Sequence, residues 1–451
     1  MPIGRLPAPA LLRLLLAALA LAAFGSGAPV LAGGTLEGVA SCAGSTCHGR
    51  AEGNGPVVRQ DEIAHWQDPS SPEGAHSRAW AALASARGKR IADALGLGPA
   101  TAAPACLGCH ATGGAPAGPR FQPSDGVGCE SCHGPSSGWL AGHYAVGATH
   151  AANVARGMVA LDRPQIRAAV CLSCHFGSSE PGHFVTHRMM AAGHPRISFE
   201  LDLFSALEQH WNEDAAYARR KGPSDHVKLW AVGQAEAVRR SVSLFATPGY
   251  GSQGLFPEFY FFDCHSCHRQ IEDNPARAHA FEVNPARPIP FGTPPYNDEN
   301  MILLSAAAHV FAPGAATGFD EAARAFHAAI GSGHAPAAAA GHLASAAASL
   351  EATLAAGPER PDAAFTLVAA IAGRASAPRF TDYEGSVQAV MALDTLLNAL
   401  VHEGRITVGA AAGIRASINR AYDAVHAPNS YNPPAFRAAL ADAAQAIGTL
   451  R

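Results

Sequence analysis

The ten cysteines of this 451-residue chain fall into five pairs, and a histidine follows the second cysteine of every pair. The strings are Cys42/Cys47-His48, Cys106/Cys109-His110, Cys129/Cys132-His133, Cys171/Cys174-His175 and Cys264/Cys267-His268. Four read Cys-x-x-Cys-His, and the first reads Cys-Ala-Gly-Ser-Thr-Cys-His. Two thiols one helical turn apart can add to the two vinyl groups of a porphyrin while the adjacent imidazole reaches its iron. This is the attachment signature of c-type haem. A zinc ribbon would not need a histidine after each pair, and a disulfide framework would not place one there. The expectation is therefore five covalent haems c, with His48, His110, His133, His175 and His268 as proximal ligands. The wider first spacing still allows both thioethers if Ala43 to Thr46 bulge outward.

Seventeen further histidines remain from a total of 22. Methionine is the other common second ligand, but beyond Met1 the chain offers only Met158, Met189, Met190, Met301 and Met391, and Met189 and Met190 read as core-filling residues beside His187. Bis-histidine ligation is the better reading, with potentials below those of His/Met centres.

The elements that must position these groups differ between the two parts of the chain. The haem motifs occupy residues 42 to 268, joined by Gly-, Pro- and Ser-rich links such as Ala111 to Asp125 and Ser136 to Gly138. With roughly 50 residues per motif there is too little chain for five separate apolar cores, so porphyrins must supply the core. Short helices and long irregular links are expected there. Aromatic residues make up only 7% of the chain, which fits a core filled by cofactor.

Beyond Pro294-Pro295 the composition turns alanine-rich and amphipathic. Helices are expected over Glu299 to Phe311, Asp320 to Ile330, Pro336 to Ala355, Asp362 to Ile371, Gly385 to Leu400, Val408 to Val425 and Pro434 to Leu450. This part has no cysteine. The fold class expected is mainly α with extensive irregular loops: a multihaem domain over 33–294 whose core is the haem stack, then an Ala-rich all-α domain over 295–451.

The N-terminus carries Arg5 and Arg13, an apolar run from Leu14 to Phe24, and Val30-Leu31-Ala32 before Gly33. That is the pattern of a signal peptide over 1–32, and the run is too short for the roughly 20 residues of a membrane span. Export to the periplasm fits the cysteines, and a soluble mature chain is expected. Cleavage would remove two arginines and no acid, taking 32 cations against 36 anions to 30 against 36, or −6. No basic stripe points to nucleic acid.

Three stretches carry a family resemblance: Gly126-Val-Gly-Cys-Glu-Ser-Cys-His-Gly-Pro135, Ala191-Ala-Gly-His-Pro-Arg-Ile-Ser-Phe-Glu-Leu201, and Phe256-Pro-Glu-Phe259 before the last motif. They resemble the multihaem cytochromes c related to the tetrahaem electron acceptor of hydroxylamine oxidoreductase, over about residues 40 to 275. The C-terminal helices lie outside the resemblance. It implies five distal ligands: His76, before Ser-Arg-Ala-Trp80; His143, in Trp-Leu-Ala-Gly-His; His187 and His194, seven apart; and His210, before Trp211. The pairing of proximal and distal residues stays open at this level. His65, His150 and His183 are reserves, His265 is expected to point outward, and His309, His327, His334, His342, His402 and His426 are expected at the surface.

The function expected is an electron relay between periplasmic or membrane-bound redox partners. The rival is an oxidoreductase in which one haem keeps an open face toward a small nitrogen or sulfur compound. Related families contain such a haem, but here no Lys replaces a proximal His, no Tyr is an obvious cross-link, and histidines are in surplus.

Overall fold

The computed structural model describes residues 33–55, 58–253, 256–268, 287–290, 293–334, 336–358, 360, 362–375 and 383–451. The expected signal segment, 1–32, lies outside them. The described chain is mostly helical, with one pair of two-residue strands, Ser252–Gln253 against Phe256–Pro257.

Up to about residue 225 the helices are short. They are α1 (Glu62–Gln67), α2 (Ala79–Ala84), α3 (Ala86–Leu95), α4 (Pro104–His110), α5 (Cys129–His133), α6 (Leu140–His143), α7 (His150–Ala155), α8 (Pro164–His175), α9 (His187–Ala191), α10 (Leu201–Leu207) and α11 (Ala215–Lys221). Local chemistry sets their ends. Ser85 caps α3 by accepting from Gly88 N, and Gly96 closes it in the left-handed region at φ 70°. Thr149 caps α7 and Thr186 caps α9 in the same way. Before about residue 165 the buried apolar residues gather into small clusters: Val39, Ile63 and Trp66 in one, and Leu83, Ala92, Ala100, Ala103 and Cys106 in another, while Ala168, Leu172, Phe199 and Leu201 join a larger core.

The exception to the expected short helices is α12 (His226–Ala246), 21 residues long and capped by Asp225. Trp230, Ala231, Val232, Ala235, Val238 and Val242 are almost wholly buried on it. Its sequence signal is an Asp cap followed by helix-spaced apolar residues, set in a region otherwise broken by Gly/Pro links.

The C-terminal helices are α13 (Glu299–Phe311), α14 (Pro313–Ser332), α15 (Pro336–Ala356), α16 (Ala363–Ala375), α17 (Tyr383–His402), α18 (Val408–Gly413), α19 (Arg415–Asp423) and α20 (Pro433–Gly448). Two depart from expectation. Helix α14 begins seven residues early, because Pro313 occupies its first turn, where the missing N–H costs nothing. The stretch expected as one helix over 408–425 breaks at Gly413-Ile414, where Ile414 sits at φ −103°, ψ 1°; glycine is a weak helix former and the break turns α19 onto α17 and α20.

Helix α12 packs against α13, α15 and α17, so one apolar core runs from Ala168 to Ile447. Tyr296, fully buried, ties its centre: it stacks on Phe261 at 6.1 Å, meets Phe326 edge-on at 4.8 Å and hydrogen-bonds Ser241 through its hydroxyl at 2.7 Å. Among the described residues no helix is long and apolar enough to cross a membrane.

Candidate haem sites

Four of the five attachment motifs sit on helical turns. Cys106, Cys109 and His110 end α4, the third motif is α5 itself, the fourth ends α8, and Cys264 to Ser266 form a 3-10 turn. Residues three apart on a helix share a face, so both thiols of a pair point the same way with the histidine beside them. The first motif reaches a similar end differently. Gly44 to Cys47 stand exposed as an outward turn, and His48 N returns to Cys42 O at 3.1 Å. Gly49 makes that turn possible, since a Cβ there would lie 2.1 Å from Ala43 O. No disulfide joins any of the ten cysteines.

Each expected proximal histidine faces one of the five expected distal ones. The ring centroids lie 6.3 Å apart for His48 and His143, 6.0 Å for His175 and His76, 6.3 Å for His110 and His194, 6.4 Å for His133 and His210, and 6.3 Å for His268 and His187. Imidazole nitrogens bind metals at about 2.0–2.1 Å. A five-membered ring built on C–N bonds of about 1.33 Å puts its nitrogen about 1.1 Å from its centre. Two imidazoles on opposite sides of one metal ion should thus have centroids about 6.3 Å apart. All five gaps have that width, so the residues present fit a six-coordinate haem iron at each position.

In six of the ten histidines Nδ1 has a partner, which leaves the other ring nitrogen free. Nδ1 of His110 lies 2.8 Å from Ala79 O, that of His143 2.5 Å from Leu140 O, that of His194 2.8 Å from Pro195 O, and that of His210 3.0 Å from Glu208 O. Carboxylates serve His48, 2.9 Å from Glu62, and His76, 2.7 Å from Glu208. Such partners fix the tautomer and the ring plane of a metal-binding imidazole. Burial lowers His133 and His175 to about 4, so both are neutral, the form that binds metal. Aromatic rings brace the cluster: Phe199 stacks on His175 at 4.6 Å, Trp139 meets His143 at 5.5 Å, Trp211 meets His210 at 5.3 Å, and Phe259 meets His187 at 5.6 Å.

A second layer comes from inside the third motif. Glu130 is buried, and its carboxylate accepts the N–H groups of Glu37 at 2.9 Å, Gly38 at 2.8 Å and Ser136 at 2.7 Å. It ties the chain before the first motif to the chain after the third.

The motifs also touch each other. Cys109, Cys174 and His183 gather with their ligand atoms within 4.8 Å, which brings the second and fourth motifs back to back. The Cys42 thiol contacts Cys129, joining the first and third. Burial raises the Cys132 thiol, and Cys171 and Cys174 nearby push it the same way, which places the third motif beside the fourth.

The reserve histidines have other partners. His65 pairs with Glu73 at 3.0 Å, His150 with Asp162 at 2.8 Å, and His183 lies 3.9 Å from the Cys174 sulfur. His265 is turned to Pro428 O at 2.8 Å, against Tyr431 of the C-terminal part, rather than outward. His309, His334, His342, His402 and His426 are exposed, as expected. His327 is not: it is 2% exposed, beside Phe326 and Tyr296 in the main core, and burial drives it down to about 3. Its helix-face position was the only sequence clue. His226, which no motif marks in the sequence, opens α12 and pairs with Asp202 at 2.9 Å.

Compared with known proteins, residues 41–134 match the family model described as cytochrome c554 and c-prime. That stretch begins one residue before Cys42 and ends one after His133, so it takes in the first three motifs, the widely spaced one included. Together with the attachment strings, the match defines a multihaem c-type cytochrome of the electron-transfer kind, carrying covalently bound haem. No curated protein and no solved structure matches the chain.

Proposed function

We propose that the protein is a pentahaem electron relay in which His48/His143, His175/His76, His110/His194, His133/His210 and His268/His187 each clasp one haem iron. The observation that carries this reading is the one-to-one facing of ten histidines at centroid separations of 6.0 to 6.4 Å. The haems supply the one-electron chemistry; the chain supplies attachment, axial ligands and spacing.

Contacts between motifs suggest the order of sites. The first abuts the third through Cys42 and Cys129, the third the fourth through Cys132 and Cys171, and the fourth the second through Cys174 and Cys109. The fifth joins through α9 and the turn after it, since His187 and His194 serve different partners. The two ends of this series have the exposed cysteines, Cys47 and Cys267, and these are the places for redox partners to exchange electrons. The enzyme alternative would need an iron with one face open, and every proximal histidine has an opposing ring.

In this reading 33–294 carries all attachment sites and 295–451 is a haem-free helical part that covers α12 and completes its core. Residues 1–32 act as a cleaved export signal, with periplasmic haem attachment following from it. The kinship with the electron acceptor of hydroxylamine oxidoreductase belongs to the same proposal, resting on the three motif stretches. Intact-mass spectrometry tests the set: the chain should begin at Gly33 and carry five haem masses. Four would remove the first motif from the attachment sites, as would a Cys47→Ser variant with unchanged mass.

A further inference from the structure

A cavity of about 560 Å³ lies between α11, the start of α12, and the C-terminal ends of α13, α15 and α17. This is the size of a small-molecule site. Part of its wall is apolar, formed by Val227, Ala231, Phe311 and Leu354. Its cations already have partners: Lys228 lies 3.4 Å from Asp225, Arg405 pairs with Asp362, and Arg360 donates to Val310 O at 2.8 Å. An anion would have to break one of these pairs.

Its polar floor is a stacked imidazole pair. His402 lies face-on to His226 with centroids 4.6 Å apart, too close for a metal between them on the geometry above. His226 Nδ1 is bound to Asp202 at 2.9 Å, and that carboxylate raises it against the opposing effect of burial, while burial and His226 lower His402. His402 is therefore a neutral base at the cavity wall. Behind Asp202 lies Glu200, buried, its oxygens accepting from Asp202 N at 2.8 Å, Leu203 N at 2.7 Å and Thr395 Oγ1 at 2.9 Å.

The cavity also borders the relay. Glu213 lines it and accepts the indole N–H of Trp211 at 3.1 Å, and the Trp211 ring meets His210, one of the proposed axial ligands, at 5.3 Å. A cavity with a partly apolar wall, an imidazole at its edge and a redox site one aromatic ring away match a donor that loses protons together with electrons.

We propose that this cavity binds a small planar hydroquinone and that His402 accepts a proton from it as it is oxidised. This rests on the relay reading. In balance, one hydroquinone loses two electrons, taken one each by two ferric irons of the relay, and two protons, one to a His402 ring nitrogen and one to water at the mouth. The product is the quinone, and both O–H bonds are broken.

Menadione and menadiol on the full holoprotein test it. Calorimetry with menadione and oxidised protein should show saturable binding of one per chain. Ala218→Trp and Thr353→Trp, exposed positions on opposite walls, should each weaken it about tenfold with unchanged haem content. Stopped-flow reduction by menadiol should saturate, and His402→Gln should lower the limiting rate about a hundredfold, the contribution of a positioned base, while menadione still binds. No binding, binding untouched by both tryptophans, or a menadiol rate linear in concentration overturns the proposal. Dithionite separates the two readings. If dithionite fails to reduce all five sites, the relay is wrong, and menadione binding still decides the cavity.

Discussion

His187 and His194 stand seven residues apart, at α9 and the turn that follows it, yet face different partners: His187 looks at His268 across 6.3 Å and His194 at His110 across the same distance. One five-residue helix and the turn after it thus serve two sites whose attachment motifs are more than 150 residues apart. Thr186 holds its start by accepting from Met189 N at 3.2 Å, and the backbone N–H of His187 is held by the buried Glu258 at 2.7 Å.

Removing one distal ring should open one iron and leave the rest. His210→Ala is expected to convert about a fifth of the haem iron to high spin at unchanged haem content, because the other four pairs do not share its ring. Electron-paramagnetic resonance of the oxidised variant reads the fraction. An unchanged spectrum would mean that His133 has another partner.

Glu130→Ala should be among the most destabilising single changes outside the ligands. It leaves the N–H groups of Glu37, Gly38 and Ser136 without their acceptor in a buried place, a loss of about 3–5 kcal/mol. Glu130→Gln keeps one oxygen and should lose less. Guanidinium midpoints compare the two, and equal midpoints would show that the carboxylate is not holding these segments.

Much of this was legible from residue types. The attachment strings single out the proposed proximal ligands because thioether chemistry fixes their spacing, and the family resemblance points to all five residues that the structure sets opposite them. Which faces which was not legible, since pairs such as His76 and His175 meet across 99 positions through loops that have no periodicity. The C-terminal helices were readable because Ala, Leu and Val recur at helix spacing. The burial of His327 and the part of α12 in a core shared with those helices were not, because a helix face names its apolar side but not what covers it.

Glu200 should weaken the fold at alkaline pH. Burial, with Asp202 beside it, raises its carboxyl to about 8, well above its value in the unfolded chain. A raised folded value gives stability that is complete below the unfolded value and is lost as pH climbs through about 8. Glu200→Gln mimics the protonated acid, so variant and parent should have similar denaturation midpoints below about pH 5, and the variant should gain on the parent as pH rises from about 5 to 8. A constant difference across that window would show that Glu200 is ionised throughout.

A chain ending at residue 294 should not fold as an independent cytochrome. The face of α12 bearing Trp230, Ala235 and Val238, each 1% exposed or less, would lose α13, α15 and α17 and meet water. Aggregation or weak thermal cooperativity is expected, measured by light scattering and calorimetry. A monomer with five haems and an unchanged melting transition would show that the haem-bearing part needs no cover.

The most direct measurement is the spin state and count of the irons together. The oxidised holoprotein should give five haems per chain by pyridine haemochrome and only low-spin signals by electron-paramagnetic resonance, unaltered by cyanide, nitrite or hydroxylamine. A stoichiometric high-spin signal that shifts with any of these ligands would contradict the account, because one of the five facing pairs would then not be closed on its iron.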